Sequence, residues 1–170
     1  LGHLYHNGTG VPQDFNETMK WYRLAAAQGN AAAQYNIGVM YANGTGVPQN
    51  FKEAMKWYRL AVAQGDAPAQ FNLGQLYHNG TGVPQNFNET MKWYRLAVAQ
   101  GYAEAQDNLG QLYHSGTGVP QDDKEAVKWW RLAADQGLAT AQYNLGLMYA
   151  YGTGVPQDFK ETMKWWRLAA

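Results

Sequence analysis

Apolar residues fall at helical spacing twice in every 36 residues, with a polar connector after each stretch. Between positions 31 and 43, Ala33, Ile37, Met40 and Tyr41 stand at i, i+4, i+7 and i+8, the stripe of a helix buried on one side. Gly44-Thr45-Gly46 follows, and glycine readily takes the left-handed or extended angles that close a helix. Val47-Pro48 keeps the connector extended. A second helix is predicted from Asn50 onward. Asn50 and Glu53 have capping-box spacing, and Ala54, Met55, Tyr58, Ala61 and Val62 face inward. It ends at Gly65, after which Asp66 is placed to cap the next first helix, with Pro68 in its opening turn.

This helix pair returns along the whole chain. Gly-Val-Pro recurs with its valine at Val11, Val47, Val83, Val119 and Val155, each 36 residues on and with no insertion or deletion. The cap recurs as Asp14 with Glu17, Asn86 with Glu89, Asp122 with Glu125 and Asp158 with Glu161. A fixed period of this length marks a stacked array in which each unit buries its apolar face against its neighbours. The expected organisation is one repeat array: a partial first repeat over 1–30, complete repeats over 31–66, 67–102 and 103–138, and a last repeat over 139–170 truncated at its C-terminal end. Leu1-Gly2 matches Ile37-Gly38, and Ala170 precedes the Gln-Gly that ends earlier units, so the chain reads as a segment of a longer protein. The bare ends of such an array expose apolar faces, and self-association through them is expected.

Two recurring features explain tight stacking. A glycine stands inside each complete first helix (Gly38, Gly74, Gly110 and Gly146), where it costs up to about 1 kcal/mol against alanine. Its recurrence predicts another helix backbone close by. Adjacent aromatics mark each second helix: Trp21-Tyr22, Trp57-Tyr58, Trp93-Tyr94, Trp129-Trp130 and Trp165-Trp166. Helical neighbours point about 100° apart, so one ring fills its own repeat while the other bridges to the next.

At this point the chain resembles a known family. The string Ala69-Gln70-Phe71-Asn72-Leu73-Gly74-Gln75-Leu76-Tyr77, then Gly80-Thr81-Gly82-Val83-Pro84, then Lys92-Trp93-Tyr94-Arg95-Leu96-Ala97 with Gln100-Gly101 is similar to the Sel-one-like repeat (SLR) family, a relative of the tetratricopeptide repeats. The likeness runs through every period. It implies an all-α fold, a right-handed αα-superhelix whose first helices line the concave side. It also implies an adaptor or scaffold role in protein complexes, often in bacterial signalling and host interaction, with a periplasmic or secreted setting favoured. A cysteine-rich branch of the family is associated with penicillin binding or β-lactamase activity. This chain has no cysteine, so that activity is not carried over, and disulfides and thiolate metal sites are excluded.

Composition narrows the partner. A hydrophobic share of 46% with 14% aromatics is that of a folded chain, not a disordered one. Thirteen basic residues balance thirteen acidic ones, and Lys20, Lys56, Lys92, Lys128 and Lys164 each have a glutamate three positions before them, which points to local ion pairs rather than to a basic stripe for nucleic acid. No apolar run approaches the roughly 18 residues of a membrane span.

Candidate chemistry is sparse. Gly-Thr-Gly lacks the Gly-Lys-Ser/Thr ending and the preceding strand of a phosphate loop, and it reads as a connector. His3 and His6 lie one turn apart without a nearby carboxylate. His6, His78 and His114 occupy equivalent positions, about 8–10 Å apart by helix packing distances, too far to share a zinc ion easily. Ser115 is the only serine and has no positioned base and acid. Asp122-Asp123 reads as a helix N-terminus. The sequons at Asn7, Asn16, Asn43, Asn79 and Asn88 are by-products of the repeat. No catalytic residue, cofactor or metal is predicted.

Differences between repeats supply the functional signal. Positions that pack stay nearly constant, whereas one face of the first helices varies. Its predicted partner-binding residues are Tyr35, Val39, Phe71, Gln75, His78, Asp107, Gln111, His114, Tyr143, Leu147 and Tyr151. A stripe of Tyr, Phe, His and Gln freed from packing suits recognition. The sequence therefore predicts a non-enzymatic scaffold that holds a protein or peptide on the concave first-helix face. The alternatives are a repeat protein that binds or hydrolyses β-lactams or cell-wall fragments, and an immunity-type inhibitor of one partner.

Overall fold

The computed structural model describes residues 1–170 as ten α-helices and no strand, so the all-α expectation holds with two helices per period. The helices are α1 (Gly2–Asn7), α2 (Phe15–Ala27), α3 (Ala31–Asn43), α4 (Phe51–Val62), α5 (Ala67–Asn79), α6 (Phe87–Ala99), α7 (Ala103–Ser115), α8 (Asp123–Asp135), α9 (Ala139–Tyr151) and α10 (Phe159–Ala169). They fall into two compact units, Leu1–Asn86 with α1 to α5 and Phe87–Ala170 with α6 to α10.

The second helices begin where the caps predict, but only half of the capping box forms. The Asp14 carboxylate accepts from the backbone of Asn16 at 2.8 Å and of Glu17 at 3.0 Å, and the Asn50 side chain accepts from Glu53 N at 3.1 Å. The reciprocal bond, glutamate to the cap's own N–H, is replaced. That N–H donates to a tyrosine carbonyl of the preceding first helix, from Asp14 to Tyr5 at 3.0 Å, Asn50 to Tyr41 at 2.8 Å, Asp122 to Tyr113 at 2.9 Å and Asp158 to Tyr149 at 3.0 Å. The cap thereby ties the two helices of a pair together. The glutamate is left free to pair with lysine, as Glu17 does with Lys20 at 2.9 Å. It also accepts a tryptophan N–H, from Trp21 at 3.1 Å and, at Glu161, from Trp165 at 2.9 Å. Such exposed ion pairs contribute at most about 1 kcal/mol each.

The connector is a stacking device. Gly44 ends α3 with φ 71° and its N–H on Met40 O. Gly46, also left-handed at φ 69°, lies so close to α2 that an added Cβ would fall 2.3 Å from Phe15 Cβ. Gly118 meets Phe87 in the same way, at 2.4 Å. The second glycine of Gly-Thr-Gly thus seats each connector on the second helix of the repeat before.

One expectation is corrected. The glycine inside the first helix makes room for an aromatic ring, not primarily for a helix backbone. A Cβ on Gly38 would lie 2.5 Å from Tyr58 Cε1, with Ala54 O further off at 3.3 Å; on Gly110 it would lie 2.8 Å from Trp130 Cδ1 and on Gly146 2.4 Å from Trp166 Cδ1. A flat ring laid over a side-chain-free patch brings the helices of one repeat together while burying a large apolar area. The second aromatic of the pair therefore fills its own repeat, and at Tyr22 and Trp130 it also joins the cluster shared with the next first helix. The first reaches the preceding repeat: Trp57 packs on the cluster that joins α2 to α3, and Trp165 is buried in the cluster that joins α8 to α9.

Both clusters cross a repeat boundary. In the first unit Met19, Tyr22 and Ala26 of α2 meet Ala33, Ile37 and Met40 of α3. In the second, Val127, Trp130 and Ala133 of α8 meet Ala141, Leu145 and Met148 of α9. Half of each core belongs to the next repeat, which is why one repeat cannot be stable alone. Val62, expected inside, is only half-buried. A polar device was not foreseen: Gln34, buried, donates to Ala26 O at 3.3 Å and accepts from Gln64 Nε2 at 2.7 Å. In the second unit Gln106 accepts from Gln136 at 2.7 Å, and Gln142 donates to Ala134 O at 3.1 Å. These amides give a further hydrogen bond to carbonyls at the ends of the second helices, Ala26 O and Ala134 O, which also accept from the Gly29 and Gly137 N–H.

Candidate protein-binding surface

The first helices carry the variable stripe, and the two units present it differently. In the first unit Tyr35, Val39, Gln75 and His78 are half-buried, and Phe71, at 9% exposure, is buried. The Tyr35 ring lies 5.9 Å from that of Tyr58, and the Asn72 amide donates to both hydroxyls, at 3.5 Å and 3.4 Å. Burial pushes the Tyr58 phenol far above its ordinary range. Val39 lines a cavity of about 200 Å³ with His3, His6, Tyr22 and Asn36. There His3 Nδ1 bonds the Tyr22 hydroxyl at 3.1 Å, and the His6 ring packs edge-on against Phe15 at 5.7 Å.

The second unit opens the stripe. Tyr143 is 52% and Tyr151 76% exposed, Gln111 and His114 are exposed, and Asp107 and Leu147 are half-buried. A cavity of about 490 Å³ is lined by Asp107, Gln111, Thr140, Tyr143 and Asn144. Another, of about 280 Å³, is lined by Gln111, His114, Trp130, Asn144, Leu147 and Tyr151. They meet at Gln111 and Asn144 as one groove along α7 and α9. Six predicted residues, Asp107, Gln111, His114, Tyr143, Leu147 and Tyr151, come together there. Tyr143 is held by stacking on Trp166, with centroids 6.2 Å apart and planes at 21°.

Polar groups set the character of this groove. The Asp107 carboxylate accepts from Thr140 Oγ1 at 3.1 Å and from Asn144 Nδ2 at 3.5 Å. Desolvation holds its pKa above the usual carboxylate range, against the opposing pull of these hydrogen bonds and of the Trp130 indole N–H. His114 Nδ1 lies 2.6 Å from Asp123 Oδ1. The Trp130 Nε1–H, buried in the groove wall, makes no well-formed hydrogen bond but acts on the Asp107 carboxylate as a donor. Ser115 shares its hydroxyl with Thr117 Oγ1 at 2.7 Å. No three His, Asp or Glu side chains converge as metal ligands would, and no helix is long and apolar enough to cross a membrane.

Sequence reasoning missed Trp130 and Asn144 as groove residues. Asparagine stands at this register in every repeat, at Asn36, Asn72, Asn108 and Asn144. Invariance of that kind is also the mark of a packing residue. What differs is what the amide holds: two phenols at Asn72, a carboxylate at Asn144.

The Sel1 repeat matches the chain over residues 1–30, 31–66, 67–102, 103–138 and 139–170. Among solved structures, a Sel1 repeat protein from Oxalobacter formigenes is 38% identical with a TM-score of 0.88, over 99% of this chain and 69% of that one. A protective antigen of uropathogenic Escherichia coli strains, displaying an SLR fold, is also 38% identical, with a TM-score of 0.92 over 99% of this chain; this chain spans only 36% of that protein. An immunity protein from Pseudomonas aeruginosa is 18% identical with a TM-score of 0.52, over 99% of this chain and 80% of that one, a likeness of fold alone. No curated protein matches the chain.

Proposed function

The chain belongs to the Sel1 repeat family, a family of protein-interaction scaffolds, and on that premise we propose that it binds a partner protein or peptide on the variable face of its first helices. The observation that carries the reading is the α7/α9 groove. Positions that pack are nearly constant from repeat to repeat, yet this groove gathers six that vary and leaves two tyrosines largely exposed. Tyrosine supplies large contact area at low entropic cost, which is why it anchors interfaces. The scaffold is read as non-enzymatic: the Ser115 hydroxyl bonds Leu112 O and Thr117 Oγ1 rather than the neighbouring His114 imidazole, so no base is set on the serine.

The test replaces Tyr143, Leu147 and Tyr151 together by alanine and compares retention of proteins on immobilised wild-type and variant chain. Proteins held by the wild type should be lost from the triple variant, with the circular dichroism melt shifted little. Equal retention by both would remove this surface from consideration.

A further inference from the structure

The α7/α9 groove differs from the matching place in the first unit at two linked positions. Tyr35 and Tyr58 there correspond to Asp107 and Trp130 here, each two periods on. An asparagine amide joins the members of the first pair through neutral phenols. In the second unit the same amide, with Thr140, holds a carboxylate.

The exchange leaves a carboxylate without a cation facing the groove. Asp107 is half-buried and has no Lys, Arg or His within ion-pairing distance. None of the residues lining the groove is Lys or Arg, and its one imidazole, that of His114, is taken by Asp123. A carboxylate withdrawn from water without a cation is costly. Trp130, only 3% exposed, turns its Nε1–H on that carboxylate as a neutral donor, which leaves the charge itself unbalanced. Packing does not require either residue, since tyrosine stands at both registers elsewhere (Tyr35 and Tyr143; Tyr22, Tyr58 and Tyr94). One kind of occupant balances the charge: a stretch of polypeptide that brings a basic side chain to the carboxylate.

We propose that the α7/α9 groove holds an extended segment of a partner protein that sets a lysine or arginine head group on Asp107. The reading rests on the scaffold role above and names the chemistry of its partner. Tyr143 lines the same cavity as Asp107 and, fixed by its stacking on Trp166, offers a ring to the aliphatic stem.

Fluorescein-labelled peptide pools of about nine residues, randomised except for a central lysine, arginine, norleucine or glutamate, are titrated with the whole chain and read by fluorescence polarisation. Basic pools should bind about tenfold more tightly than norleucine or glutamate pools, with a preference that shrinks as salt rises from about 50 to 300 mM. Asp107→Asn should erase the preference. Asp107→Tyr, which installs the residue found at positions 35 and 143, should erase it as well with an unaltered melt, so that misfolding is not the cause. Equal binding of all pools, binding of none, or a basic preference that survives both substitutions would overturn the proposal. The scaffold reading fails on a different result, equal protein retention by wild type and the alanine triple variant.

Discussion

The Tyr35–Tyr58–Asn72 cluster of the first unit and the Asp107–Trp130–Asn144 cluster of the second share one register and one backbone setting, yet they differ in kind. The first is two rings 5.9 Å apart, joined through neutral hydroxyls by an amide. The second places a carboxylate without a cation at the groove, with the Trp130 indole as a neutral donor to it. The fold tolerates both because the helices are held by what lies beneath: Ile37 and Met40 in one unit, Leu145 and Met148 in the other, all nearly inaccessible to solvent. A repeat array separates the two tasks. Residues that bind one repeat to the next keep their size and apolar character, and those one turn outward are free to carry recognition.

Three experiments sharpen or break this comparison. The largest effect is expected from Tyr58→Ala and Trp130→Ala, each removing a buried ring that lies on a glycine. Each should cost about 3–5 kcal/mol in urea unfolding. Equal losses would mean that the two rings do the same packing despite their different polar ends; a markedly larger loss at Trp130 would show that its N–H also steadies the Asp107 carboxylate.

A smaller effect separates the glycines. Gly38→Ala and Gly110→Ala both press a methyl into the ring, for a net loss of about 1–2 kcal/mol after the gain in helix propensity. Gly38 should be the more sensitive, because the added Cβ would come within 3.3 Å of the Ala54 carbonyl as well as 2.5 Å of Tyr58, and backbone cannot swing aside. Equal denaturation midpoints for the two variants would contradict this.

The smallest effect concerns charge. Asp107 holds its proton more tightly in the folded than in the unfolded chain, since burial raises its pKa. The stability it contributes is present below the ordinary carboxylate range and is lost as pH rises through it. Asp107→Asn should therefore melt slightly above the wild type at about pH 7 and level with it at about pH 3. A variant that melts below the wild type at neutral pH would show that the carboxylate stabilises the groove.

Much of the architecture was legible because repetition lets a chain be compared with itself. The caps at Asp14, Asn50, Asp122 and Asp158, the glycine breaks after each first helix and the inward faces of Ile37, Met55 and Tyr58 all follow from local spacing. What the in-helix glycine faces was misread, since spacing shows that room is needed but not whether a ring or a backbone fills it. The stripe was legible as a set of variable positions. Phe71 nevertheless turned inward while Tyr143 at the same register stayed out; which way such a ring lies depends on neighbours a full repeat away.

The sequence by itself determined the helix pairs, their period and the face left free to vary, because capping, helical periodicity and glycine conformation are properties of a few adjacent residues. Only the tertiary structure decided that Asp107, Trp130 and Asn144, on three different helices, would share one groove, with the carboxylate met by neutral donors and by no cation. That outcome depends on distances and exclusion of water across residues far apart in the chain, which no local pattern encodes.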